Sequence, residues 1–134
     1  MSVEMAPKIE VPISVGELVD KVTILEIKSE KIADADKRAN IGRELDALTD
    51  VLAPLLAATP ALAPLKAELR AINEALWQIE DDIRDCERRR EFGAPFVALA
   101  RAVYHTNDRR AATKRKIDEL MCSDLVEEKS YAPY

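Results

Sequence analysis

Apolar residues recur with helical spacing along most of the chain. The most regular stretch is Leu62, Leu65, Leu69, Ile72, Leu76, Ile79, Ile83 and Cys86, which fills every a and d position of successive heptads. It predicts a helix over 62–90 with eight core-facing side chains. Pro64 fits its first turn, where a missing N–H is harmless. Ile41, Leu45, Leu48, Leu52 and Leu55 predict a helix over 37–56, with Pro54 and Pro60 bracketing its end. Val15, Leu18, Val22, Leu25 and Ile32, widened by Val19, Ile24 and Ile27, predict a helix over 14–33. Its stripe is broad enough to need cover on more than one side. Ser14 and Glu17 have capping-box spacing at its start. The turn before the second helix has neither Gly nor Pro, so the pattern does not fix its limits.

The last helix, over 95–122, breaks its own pattern. Phe96, Ala100 and Val103 start an apolar stripe that Ile117 and Met121 resume. Between them the inward positions are Asn107, Arg110 and Lys114. A charge facing an apolar core costs several kcal/mol unless it is paired. This seam is therefore a polar pocket, an interface, or an internal ion-pair network. Ile9, Val11 and Ile13 alternate around Pro12, which predicts an extended arm over 1–13, with a short edge strand at most. Pro133 and the tyrosines of 123–134 predict an extended tail. The whole reads as one all-α domain over 1–134. An antiparallel four-helix bundle is the expected architecture, and a pair of long helical hairpins is its rival.

Composition agrees with helices: Ala, Leu, Glu, Arg and Lys abound, with 3 Gly and 4% aromatic residues. A net charge of −5 argues against a general nucleic-acid binder. The charge is uneven, however. Arg101, Arg109, Arg110, Lys114, Arg115 and Lys116 form a basic strip broken by Asp108 alone. Asp118, Glu119, Asp124, Glu127 and Glu128 then follow, against Lys129. Cys86 and Cys122 belong to no metal-binding spacing and fall too far apart along a hairpin to pair, as expected in a reducing cytoplasm. The first residues carry no signal-peptide pattern, and no run is long and apolar enough to span a membrane.

The runs VPISVGELVDKVTILEIKSEKI (11–32), INEALWQIEDDIRDCE (72–87), YHTNDRRA (104–111) and LVEEKSYAPY (125–134) resemble a family of small bacterial and phage proteins of uncharacterised function. The resemblance implies an association with sugar-transfer machinery for surface polysaccharides. It implies no catalytic residue.

Pairing the last two helices around residue 93 puts Asn107 level with Ile79 and Arg110 with Leu76. Asn73, Trp77 and Glu80 share one face at that height, and Lys28 is expected at a similar height on the first helix. With Tyr104, Arg109 and Lys114 these residues form the candidate site. As a ligand site, its cations would hold a phosphate or carboxylate, with Trp77 or Tyr104 against a ring. As a structural device, Glu80 would pair with Arg110, and Arg110 would stack on Trp77. The structural reading is favoured. Glu17/Asp20 and Asp82/Asp85 have the i, i+3 spacing of Mg²⁺ sites, but Glu17 is better explained as a cap and consecutive acids as a solvated face. His105 lacks a nucleophile in recognisable context. Tyr131 and Tyr134 are candidate tail contacts, expected to dock on the chain itself.

Two functions follow. The leading expectation is a non-enzymatic, protein-binding helical module that forms a homodimer and acts with another bacterial protein. The alternative is a small enzyme or sensor binding an anionic metabolite at the seam. Neither reading calls for a cofactor or metal.

Overall fold

The computed structural model of the chain describes residues 7–134. Four helices follow in order: α1 Val15–Lys31, α2 Ala35–Ala58, α3 Leu62–Arg88 and α4 Ala94–Leu120. There is no strand among the described residues. Residues 7–13 of the expected arm form no strand, and Ile9, Val11 and Ile13 are exposed. The rest of the arm lies outside the described residues.

Each helix starts for a local reason. Ser14 caps α1, its Oγ accepting from Glu17 N at 3.1 Å. Asp34 caps α2, accepting from Lys37 N at 2.9 Å. That cap starts α2 ahead of residue 37. Pro95 lies in the first turn of α4. Pro54 sits inside α2 instead of ending it. At their C-termini, α3 and α4 close in the same way. Glu91 N donates to Cys86 O and Ser123 N to Asp118 O, both at 2.9 Å. The residues before them, Arg90 and Cys122, have φ of 53° and 52°. Both are left-handed positions where glycine is usual.

The core joins Leu18, Val19 and Val22 of α1 to Leu52 of α2, Leu62 and Leu69 of α3, and Ile117 of α4. The broad apolar face of α1 explains its place: it packs against all three other helices. α2 packs along α1, and α3 and α4 form a long hairpin. The two hairpins of the rival reading thus occur within one all-α fold, stacked through α1. The expected eight-residue core stripe of α3 is only partly covered. Leu62, Leu69, Ile72 and Cys86 are buried, while Leu65, Leu76, Ile79 and Ile83 are half-buried. For Ile79 and Ile83, toward the far end of α3, the cause is length. α1 has 17 residues and α3 and α4 have 27 each, so α1 is about 15 Å shorter at ~1.5 Å per residue.

Candidate functional site

Gly16 sets the register of α1 on α4. A Cβ there would lie 2.6 Å from Lys114 O and 2.7 Å from Asp118 Oδ1. Only glycine permits that approach. Gly16 N donates to Asp118 Oδ1 at 2.7 Å. Asp118 is buried, and its Oδ2 has no hydrogen-bond partner among the described residues. Its position at the positive end of α1 offsets part of that cost.

This contact carries the next turns of α1 past the cations of α4. Glu17 meets Lys114, Oε2 to Nζ at 2.8 Å. Asp20 meets Arg110: Nε donates to Oδ1 at 2.9 Å, and the Nη2 amine pairs with Oδ2. α3 completes the cluster, since Asn73 Nδ2 donates to Asp20 Oδ1 at 2.9 Å and to Thr23 Oγ1 at 3.0 Å. Asp20 is 1% exposed and Lys114 5%. Burial pushes the Asp20 carboxyl up, but hydrogen bonds from Arg110 and Asn73 outweigh it and hold the group below its ordinary value. Burial pulls the Lys114 ammonium down, and its bonds to Glu17 and Glu127 reverse this and raise it. The hydrogen bond to Asp20 likewise raises Arg110. The inward charges of α4 are therefore paired, which is what their burial requires.

The tail returns along α4 and uses charge to do so. Glu127 Oε2 lies 2.9 Å from Lys114 Nζ, and Glu128 Oε2 lies 3.3 Å from Arg115 Nη1. Lys129 Nζ lies 3.0 Å from Asp108 Oδ1, while the Tyr134 hydroxyl donates to Asp108 Oδ2 at 2.5 Å. These bonds, Tyr134's first, hold Asp108 below its ordinary value, and Asp108 raises Tyr134. The Tyr134 ring packs 5.1 Å from Tyr104 and edge-on at 4.7 Å from His105. Between tail and α4 runs a groove of about 900 Å³, lined among others by Tyr104, Asn107, Arg110 and Lys114. A second groove, of about 510 Å³, has Ile24, Ile27, Leu76 and Trp77 in its lining, with Asn107 and Arg110 again contributing.

A model of a family of unknown function (DUF6165) matches residues 9–133. The chain belongs to this family. No curated protein and no solved structure matches it.

Among the described residues of this family member, the candidate site is brought together only in part. Asn73, Trp77, Glu80, Asn107 and Arg110 line the second groove, as the hairpin register predicts. Tyr104, Asn107, Arg110 and Lys114 share the first with Tyr131 and Tyr134. Lys28 lines neither, because the Gly16 contact places Asp20 and Thr23, not Lys28, opposite Asn73. Arg109 is exposed and makes no ion pair among the described residues. Arg110 turns to Asp20 and neither pairs with Glu80 nor stacks on Trp77; Glu80 pairs with Arg84. The Glu17 carboxylate goes to Lys114 instead of closing the capping box. Neither acidic i, i+3 pair is free: Glu17 and Asp20 face cations, Asp82 accepts from Gln78, and Asp85 pairs with Arg88 and Arg89. Reading the sequence did not place Gly16 or Glu127 at the site, and it weighed Asp20 only as part of a metal-type spacing, not as the partner of Arg110 and Asn73. Asp20 carried a signal, since it adjoins Val19 and Val22 on a helix whose apolar face must be covered.

Proposed function

We propose that the protein is a non-enzymatic helical interaction module whose α4 face binds an extended, acidic, tyrosine-bearing segment. The observation that carries this reading is the Glu127–Lys114 contact. A lysine that is almost wholly buried already has Glu17, yet it takes a further carboxylate from a segment whose residues are nearly all exposed. The tail is thus a sample of what this face accepts: carboxylates for Lys114 and Arg115, and a ring for Tyr104 and His105. Within this proposal the protein works in a bacterial cytoplasm, and the outside partner belongs to sugar-transfer machinery for surface polysaccharides.

A labelled peptide with the sequence of residues 123–134 tests the reading by fluorescence anisotropy. The full chain should bind it weakly, because its own tail competes. Glu127→Gln with Glu128→Gln loosens that tail and should tighten peptide binding by about tenfold, equivalent to ~1.4 kcal/mol of lost competition. Equal absence of binding to both proteins at millimolar concentration would contradict the module.

A second reading places a small anionic ligand in the groove beside Trp77. What favours it is that Arg110 spends Nε and Nη2 on Asp20 and leaves Nη1 without a hydrogen bond among the described residues. A thermal-shift screen of phosphates, nucleotide sugars and dicarboxylates tests it. Stabilisation that Trp77→Ala abolishes supports the ligand.

A further inference from the structure

We infer that a second copy of this chain is a partner of the α4 face, and that two copies exchange their tails. The inference rests on the proposal that α4 binds such a segment, and it names the source of the segment. Three observations point to exchange.

The first is the hinge. The chain reverses direction after α4 within Met121–Ser123, and Cys122 there has φ of 52° without being glycine. A short, strained connection invites the segment beyond it to dock on another copy, where the reversal is not needed.

The second is the way the tail is held. Its contacts to α4 are ion pairs, one hydroxyl bond and ring packing at Tyr134. Leu125, Val126, Tyr131 and Tyr134 remain 45%, 40%, 81% and 74% exposed. Tyr131 and Tyr134 are covered little, and Leu125 and Val126 a little more than half, so polar contacts carry much of the segment's hold on its own helix.

The third is complementarity. The face presents Lys114, Arg115 and Asp108 to Glu127, Glu128 and Lys129, with a sign change in matching place. Every copy carries a segment meeting all of these, so the same contacts form between two chains as within one. In the exchanged pair each copy lends Glu127 to the other's buried Lys114, and each site is completed by its partner.

Charge reversal separates exchange from self-docking. One variant carries Asp108→Lys with Arg115→Glu, which reverses the face. The other carries Glu128→Lys with Lys129→Glu, which reverses the tail. Arg115 and Glu128 are 51% and 73% exposed, and Asp108 and Lys129 41% and 31%, so none is buried and far-UV circular dichroism should match the unaltered chain. In sedimentation velocity the unaltered chain should show a concentration-dependent dimer, each variant alone should be monomeric, and an equal mixture should recover the dimer. A monomeric mixture overturns the exchange. In that case peptide binding to the unaltered chain still decides the module reading separately. A test without variants uses equal amounts of light and heavy-isotope chain and a carbodiimide crosslink between Lys129 and Asp108. Mixed-mass crosslinks are expected, and crosslinks within single-mass chains alone overturn the proposal.

Discussion

Asp20 is the residue on which the polar seam turns. Its carboxylate accepts from two helices besides its own, and almost none of it reaches water. Arg110→Met would leave that charge with Asn73 and with Lys114, whose Nζ lies 4.0 Å from Oδ2 but already meets two glutamates. The expected loss is about 3–5 kcal/mol in urea unfolding, and adding Asp20→Asn should restore much of it, because no unpaired charge then remains. Gly16→Ala is a smaller change with a comparable cause. Alanine favours a helix by ~1 kcal/mol over glycine, but its methyl would meet the Lys114 carbonyl. A net loss of ~1–3 kcal/mol is expected from overpacking. The pH profile follows from the two buried charges. The Asp20 value is lowered in the fold, so its contribution is complete above its unfolded value of 3.8 and is lost as pH falls through the lower folded value. The Lys114 value is raised, so its contribution is complete below 10.5 and is lost as pH rises past the folded value. Urea midpoints should therefore stay level from about pH 5 to about pH 10 and fall on both sides. At this scale Arg110 and Lys114 were legible as charges that had to be paired, but their partners were not. The Gly16 approach that selects Asp20 over Glu80 depends on two backbones meeting, and a single sequence does not reveal that.

Among the elements, α2 is the least anchored. Ile41 and Leu52 are its only buried residues, and it packs chiefly along α1. Its amides should exchange with solvent faster than those of α3 in native-state hydrogen exchange. Leu52→Ala should still cost ~2–5 kcal/mol, since Leu52 is 1% exposed and meets the common core. The end of α3 offers a stabilising change. Arg90 is left-handed and exposed, so Arg90→Gly should raise the unfolding free energy by ~0.5–1 kcal/mol, against its cost in chain entropy. The helices themselves were legible because their apolar spacing is regular. Their ends were less so: Asp34 starts α2 without a Gly or Pro to announce it, and α2 runs on past Pro54 to Ala58. The full burial expected for Leu76, Ile79 and Ile83 failed because Leu76 opens into the groove beside Ile24 and Ile27 of α1, while Ile79 and Ile83 lie farther along an α3 that is ten residues longer than α1.

At the scale of the molecule, α1 is the shared centre, and α4 works on both sides. Its inner side locks onto α1 through Gly16, Glu17 and Asp20. Its outer side receives the tail. Lys114 belongs to both, so the tail face is built on the same pair of helices that closes the seam. The opposite charges of strip and tail were visible in the sequence, and their meeting is their simplest outcome. The central claim is that this face binds acidic, tyrosine-bearing segments. The most direct measurement is the heteronuclear amide spectrum of the full chain carrying Glu127→Gln and Glu128→Gln, titrated with the 123–134 peptide. The account predicts shifts concentrated on α4 between Tyr104 and Arg115, saturating with peptide. Shifts centred instead on Trp77 and Ile24, or none at millimolar peptide, would contradict it.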